Sequence, residues 1–485
     1  MPIQHERSEL DVRSERAVLC AVRLPESNYD KADPFGELRS LAEQAGARVV
    51  GEMSQNLPKP VPATYLGSGK LAELKGLCES LGATTIIFDH DLSPKQISNI
   101  EQATLRKVLD RSELILDIFA SRATSAEAKL QIELAQLEYT YPRLKAMWSH
   151  LERITGGIGT RGPGEQQLEI DRRLVQSRKN DLEREIRVVQ ERKRREVQQR
   201  KLEHFTVGIV GYTNAGKSTL FNALTSGGAY ADDRLFATLM TRTRQWDLGG
   251  GLHVMLSDTV GFVRDLPTNL IAAFRATLEE ATHADLLLIV LDVSDPAAAL
   301  HYETVKRTLD DLIEEVRARE DKLGAIYEPP PRVLLLNKAD RLRDNTELLV
   351  WQQKVPGSIV ISAREIASPN GGPFDAGREQ LWALVRDAAR GKVEELLITV
   401  PLADSRTVHV IENRGEVLAR DYTDTHVTLR ARIGARQLAQ LRSAGARMTI
   451  TSAGGAAVAL PGPTAGVRPK ARGWGTAASS ETGTP

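Results

Sequence analysis

The sequence predicts an α/β protein centred on a doubly wound sheet, with a small α/β domain and a long antiparallel helical hairpin before it and a small α+β domain after it. Three observations carry this prediction. Between residues 205 and 390, short apolar runs alternate with helical stretches: FTVGIVG, LHVMLSD, LLLIVLDV, RVLLLNK and SIVISA. Runs that short, spaced by helix-length segments, build sheets with helices on both faces. Upstream, apolar residues recur at heptad spacing on both sides of a glycine-rich decapeptide, GGIGTRGPGE at 156–165. Finally, 485 residues exceed what one hydrophobic core holds, so three or four domains are expected.

Taken in order, residues 1–16 are an extension and 17–122 a first α/β domain. Its predicted strands include AVLCAVR at 17–23 and TTIIFD at 84–89, with turns in VRLPESNY and GEMSQNLPKPVPA. Residues 123–204 form the hairpin. Leu130, Leu134, Leu137, Tyr141, Leu144, Trp148 and Leu151 alternate spacings of four and three, and Pro142 should kink that helix. Leu168, Val175, Leu182 and Val189 recur every seven residues in the second arm, with Ile186 between. At ~1.5 Å per residue each arm reaches ~40 Å, with GGIGTRGPGE at its tip. The later part of that arm, RVVQERKRREVQQRK, reads either as a solvated face with pairs such as Glu185–Arg187, or as a nucleic-acid-facing stripe. The central sheet fills 205–392. Residues 393–460 supply strand candidates ELLITVP, TVHVIE and HVTLRAR, and 461–485 are Pro/Gly/Ser/Thr-rich and expected to be disordered.

Composition bounds the function classes. Apolar content of 41 % and charged content of 26 % describe an ordinary soluble protein, and the formal net charge of zero argues for no particular partner. Two cysteines, Cys20 and Cys78, make no disulfide framework. The N-terminus lacks the apolar stretch of a signal peptide, and the run LLLIVLDV is too short to span a bilayer, so no membrane insertion is expected. The histidines lack metal-ligand spacing, so no structural zinc is expected.

The chemistry is concentrated in five stretches. Gly211-Tyr212-Thr213-Asn214-Ala215-Gly216-Lys217-Ser218 fits G-x-x-x-x-G-K-[ST], follows a strand and opens a helix. Its backbone N–H groups would wrap phosphates, Lys217 would reach the β/γ oxygens, and the Ser218 hydroxyl would ligate Mg²⁺. Asp258-Thr259-Val260-Gly261 closes the strand LHVMLSD. Asp258 would hold Mg²⁺ through water, and the Gly261 N–H would touch the γ-phosphate. Between these two boxes lies ADDRLFATLMTRTR, in which Thr238 is the candidate switch threonine and Mg²⁺ ligand, with Thr241 and Thr243 as alternatives. Base choice comes from Asn337-Lys338-Ala339-Asp340: the Asp340 carboxylate can accept from guanine N1–H and its exocyclic amine, where adenine offers no donors. Ser362-Ala363-Arg364 matches a loop offering a backbone N–H to guanine O6. The position after Gly261 is Phe262, where Ras-like proteins keep a water-orienting glutamine. Intrinsic turnover should therefore be slow and depend on an external activator, unless Phe262 simply packs in the core of a working site. GSGK, within YLGSGKLAELK at 65–75, lacks the full spacing and reads as a helix-opening turn.

With these boxes placed, the chain resembles the HflX family of GTPases, in the Obg/HflX group related to translation factors, over about residues 17–455. The resemblance is carried by ELILDIFASRA at 113–123, QIELAQLEY at 131–139, GGIGTRGPGEQQLEIDRR at 156–173, GYTNAGKSTLFNAL at 211–224, LFATL at 235–239 and DTVGFVRDLP at 258–267. In one departure, Met240-Thr241-Arg242 stands where the family usually shows Asp-Pro-Thr. The resemblance implies a nucleotide contact from Phe236, Ala237, Thr238, Leu239 and Met240, and catalysis by Lys217, Thr238 and Gly261. It implies GTP hydrolysis stimulated by the large ribosomal subunit, a role in dissociating or rescuing stalled ribosomes under stress, and action as a monomer on the ribosome. The location expected is the cytoplasm, with peripheral membrane association left open. The tip loop, through Gly157, Arg161, Gly162 and Gly164, would then contact rRNA near the peptidyl-transferase region, since glycine allows close approach and arginine stacks on bases or pairs with phosphates. Asn214 in the phosphate loop is a candidate K⁺ ligand, as in several related GTPases. The alternative reading is a GTP-gated RNA-binding module or ribosome-assembly factor in which hydrolysis is only a timer.

Overall fold

The computed structural model describes residues 15–25, 29–155, 163–225, 242–249, 252–264, 280–322, 327–366, 372–391, 393–434, 438, 441 and 446–452. Three separate β-sheets organise them. The first has the order β2-β1-β3-β4, from Arg16–Arg23 (β1), Arg48–Asn56 (β2), Thr85–Phe88 (β3) and Lys107–Leu109 (β4), and every pair is parallel. β1 reads RAVLCAVR, and Ala17 to Val22 are fully buried, as expected of a central parallel strand covered on both faces. Its helices carry their own start signals. Ser93 caps Pro94–Thr104 (α3) in a reciprocal capping box with Gln96, and Pro94 supplies the first helical position. Ser68–Leu81 (α2) opens at Gly67, so GSGK is a helix-opening turn, and Lys70 pairs with Glu73 2.7 Å away.

Arg111–Arg122 (α4) leads into Ala126–Thr155 (α5), which runs as one helix through Pro142, and then Pro163–Glu203 (α6). Ion pairs Glu133–Arg178, Glu138–Lys179 and Glu127–Lys193 join α5 to α6. The partner of Glu127 is Lys193, whereas Glu133 and Glu138, further along α5, pair with Arg178 and Lys179 near the start of α6, so the pair is antiparallel. The most buried face of the first arm is offset from the predicted seam. Ala128, Ile132 and Ala135 are closed off, while Leu130, Leu134, Leu137 and Tyr141 are half-buried. The reason is that α5 has two neighbours: Ile132 and Ala135 join the core that holds α4, while the ion pairs face α6. On α6, Leu182 and Ile186 are buried and Val175 and Val189 half-buried. The side chains of Leu144, Trp148, Leu151 and Leu168 lie outside the described residues. In the basic stretch Arg187 lies 3.8 Å from Glu183, not beside Glu185, because residues two apart point to different sides of a helix.

The central sheet has the order β10-β9-β8-β5-β7-β6, from Thr206–Gly211 (β5), Arg242–Asp247 (β6), His253–Asp258 (β7), Leu286–Asp292 (β8), Arg332–Asn337 (β9) and Ile359–Val360 (β10). All neighbours are parallel except β6, which runs antiparallel to β7. Sequence reading missed this edge strand because RTRQWD has no apolar run, and only Trp246 in it is buried. The last sheet is antiparallel, ordered β12-β13-β11-β14: Val393–Pro401 (β11), Glu416–Tyr422 (β12), His426–Gly434 (β13) and Thr449–Ser452 (β14). Here TVHVIE is a correction, since it lies inside the helix Ser405–Arg414. Its alternating β-branched pattern suggests a strand, but Asp404 caps the helix by accepting from the Thr407 N–H at 3.2 Å and hydroxyl at 2.7 Å, and Ile411 packs beneath the sheet.

Candidate functional site

The carboxyl ends of β5, β7 and β9 meet at one edge of the central sheet, where ligands settle in open α/β folds. β5 ends at Gly211, and Tyr212–Gly216 turn into the helix Lys217–Thr225 (α7). Gly216 has φ +94°, and a Cβ there would lie 2.3 Å from Asn337 Nδ2, so only glycine fits. Asn214 also has positive φ (61°), is exposed, and through its carbonyl accepts from Lys338 Nζ at 2.7 Å. Thr213 and Ala215 are buried beside it.

Two boxes are stitched to this loop. Phe262 N–H donates to the Gly211 carbonyl (3.1 Å), and Thr213 N–H donates to the Phe262 carbonyl (2.8 Å), so the chain after Gly261 runs beside the phosphate loop as a short β-bridge. A Cβ at Gly261 would come within 2.8 Å of Thr213 and 2.9 Å of Lys217 Nζ, so the loop, the lysine and the Gly261 backbone converge on one point. Phe262 itself is buried in the apolar core and presents no polar atom to a water. Thr259 donates its hydroxyl to the Ile209 carbonyl (2.8 Å) and Val260 packs inside, so these two act on the sheet rather than through side chains aimed outward. Asp258 is fully buried and accepts from Ser218 Oγ at 2.8 Å. Burial pulls the Lys217 ammonium down to about 8 against the opposing pull of the Asp258 charge, while its Nζ donates to the Tyr212 carbonyl at 2.8 Å. A buried carboxylate beside a serine hydroxyl is a hard-oxygen pair of the type Mg²⁺ takes.

On the base side, Asn337 ends β9 and bridges two loops: its Nδ2 donates to the Ala215 carbonyl (2.8 Å) and its Oδ1 accepts from Ala363 N–H (2.9 Å). Lys338 pairs with Asp292 at 2.6 Å. Ala339 is buried while Asp340 is exposed. Ser362 is buried and Arg364 exposed. Thr243 lies in β6, its hydroxyl 3.1 Å from Ser257. Phe236, Ala237, Thr238, Leu239, Met240 and Thr241 lie outside the described residues, as do Gly157, Arg161 and Gly162; Gly164 is the second residue of α6.

Glu37, Asp89, Arg264 and His301, which sequence reading missed, gather beside Tyr212 of the same loop. The Tyr212 phenol donates to Glu37 (2.6 Å) and accepts from Arg264 N–H (2.9 Å), and its ring stacks on His301 at 3.8 Å. Arg264 also pairs with Asp89 through both carboxylate oxygens at 2.9 Å. The one available signal was an arginine placed three residues beyond Gly261.

Known proteins match this arrangement region by region. Family models described as GTP-binding GTPase N-terminal, GTP-binding GTPase middle region and 50S ribosome-binding GTPase match residues 32–120, 122–200 and 206–338. Fold and site together define a P-loop GTPase, an enzyme that binds GTP and hydrolyses it. The GTPase HflX of Caldanaerobacter subterraneus subsp. tengcongensis is 38 % identical over 440 residues, covering 90 % of this chain and 95 % of that one. The GTPase HflX of Escherichia coli is 39 % identical, covering 76 % and 82 %. The chain belongs to the HflX GTPase family. A solved GTP-binding protein from the archaeon Sulfolobus solfataricus, in complex with GDP, is 25 % identical with a TM-score of 0.37, covering 76 % of this chain and 98 % of that one.

Proposed function

We propose that this GTPase acts on the large ribosomal subunit, with hydrolysis switched on by the ribosome, and that it dissociates or rescues stalled ribosomes. The observation that carries this reading is Phe262, a buried apolar side chain at the position where a water-orienting residue is needed. Without that residue the site binds GTP but lacks one catalytic part, which a partner has to supply. The antiparallel α5–α6 pair is joined in sequence by a glycine- and arginine-containing stretch, a composition suited to close approach to RNA. The name of the model matching 206–338, 50S ribosome-binding GTPase, points to the same partner. Among the described residues no helix is long and apolar enough to cross a membrane. The reading locates the protein in the cytoplasm.

In this reading Asp340 selects guanine, Asn337 and Ala363 brace the base loop, and Lys217 neutralises the β/γ oxygens. Ser218 and Asp258 hold Mg²⁺, which supplies positive charge to the phosphates. The Gly261 N–H meets the γ-phosphate. The test is the multiple-turnover GTPase rate against added large subunit, for the full chain and for a deletion of Gly157–Gly164. Stimulation of the full chain and its loss in the deletion, with GTP affinity unchanged, is the expected result. An equal rate with and without the subunit would overturn the reading and leave hydrolysis as a timer for a different RNA partner.

A further inference from the structure

Five charged side chains and one phenol from distant parts of the chain meet at a buried junction between the first sheet and the phosphate loop. Asp89, at the carboxyl end of β3, receives Arg23 at 3.2 Å, Arg111 at 2.8 Å and Arg264 at 2.9 Å. Glu37 accepts from Tyr212 and lies 2.8 Å from Arg111. Asp89 and Arg111 have side chains 1 % exposed. Ions taken that far out of water persist only where their partners are fixed, and removing one leaves the others uncompensated.

The junction grips Arg264 by both its side chain and its main chain. The Arg264 N–H donates to the Tyr212 phenol, and the Arg264 carbonyl accepts from Arg111 Nε at 3.3 Å and Nη2 at 3.1 Å. Three residues earlier is Gly261, and Phe262 between them is laced to the phosphate loop. A shift of the Gly261 backbone therefore has to move Arg264 or break its bonds. On the far side, Arg111 is the first residue of α4. Its neighbour Asp110 caps that helix and accepts from Tyr139 at 2.5 Å and Arg143 at 2.6 Å, both on α5. An unbroken series of bonds thus runs from Gly261 to the first arm of the hairpin.

We propose that Arg264 is a positioning residue for GTP turnover, and that the Arg264–Asp89–Arg111 junction carries the state of the γ-phosphate to α4 and α5. The proposal rests on the Gly261 N–H meeting the γ-phosphate. With that group bound, Gly261 and Arg264 are drawn toward the phosphate loop and the change is felt at the caps of α4. By reciprocity, a partner that holds α5 tightens GTP relative to GDP by the same factor.

The test compares the full wild-type chain with Arg264→Ala, Arg264→Lys and Asp89→Asn. In Arg264→Ala, kcat is expected to fall by ~10-fold or more while GDP affinity stays within about threefold, because misplacement of a reacting group costs rate rather than ground-state binding. Arg264→Lys, which keeps the charge but cannot reach Asp89 and Glu37 from separate nitrogens, is expected to recover part of kcat. Hydrogen exchange of residues 111–141 is expected to differ between the GDP form and a non-hydrolysable GTP form in the wild type. The difference should vanish in Arg264→Ala and shrink in Asp89→Asn. Equal exchange in the two wild-type forms, or an undiminished difference in Arg264→Ala, overturns the proposal. Should Arg264→Ala not fold, Tyr212→Phe and Arg264→Lys carry the same comparison, and an undiminished difference in both overturns it as well. A chain that fails to bind GTP at all in the wild type would instead refute the nucleotide site itself.

Discussion

Two buried aspartates, Asp89 and Asp258, stand at equivalent places in two sheets, each at the carboxyl end of a parallel strand. Around Asp89 three guanidinium groups close in. Burial pushes its carboxyl up, but Arg111, Arg264, His90 and Arg23 together outweigh that and hold it below the usual range. Asp258 accepts from a neutral hydroxyl, with the Lys217 ammonium as the nearby charge. The same strand-end position therefore yields a closed ionic joint in one sheet and a cation-ready oxygen site in the other. What differs is whether the following chain brings arginines or a phosphate loop to that end.

The largest effect should come from breaking the closed joint. Asp89→Ala leaves three buried cations without their shared acceptor and is expected to destabilise the chain by about 3–5 kcal/mol. The urea midpoint checks this, and an unshifted midpoint would mean the joint is open to water. Asp258→Asn, the counterpart in the central sheet, should shift the midpoint less, since one cation rather than three faces that carboxylate, and should abolish Mg²⁺-dependent turnover.

Next in size is the base site. Asp340→Asn removes one charge-assisted bidentate acceptor and is expected to weaken GTP by ~2–4 kcal/mol while favouring xanthosine triphosphate. Dissociation constants for the two nucleotides decide it, and unchanged GTP binding would remove Asp340 from the site.

The smallest effect concerns the far end of the joint. Burial pushes the Glu113 carboxyl up to about 7, despite the lowering influence of Arg143. The unfolded chain therefore loses its proton first as pH rises. The resulting contribution is full below the ordinary carboxylate pKa and is lost as pH climbs to about 7. Because the side chain is 32 % exposed, the expected loss is on the order of 1 kcal/mol. Glu113→Gln should lack this component, so its midpoint should change less than that of the wild type between pH 4 and pH 8. Identical pH profiles for both proteins would assign the carboxyl an ordinary pKa.

Local chemistry made much of the nucleotide site legible. A phosphate loop works through consecutive backbone N–H groups and one lysine–serine pair, so its function is written in eight adjacent residues. Asn337 and Asp340 are similarly confined to one turn after one strand. The apolar runs of β5, β7, β8 and β9 were readable because both their faces are buried. By contrast β6 was hidden, since an edge strand needs no apolar run, and Ser405–Arg414 looked like a strand until its cap and its packing under the last sheet were seen.

The sequence alone determined which chemistry this protein carries: a phosphate loop and a separate NKAD box in a doubly wound sheet, and a neighbour of Gly261 unable to orient water. Only the tertiary structure decided how that chemistry is connected to the rest of the chain. Glu37, Asp89, Arg111, Tyr212 and Arg264 follow no shared period, and the hydrogen bonds joining them span 22 to 227 residues. Charges become partners across such gaps when packing places two sheets end to end, and no spacing rule along the chain encodes that meeting.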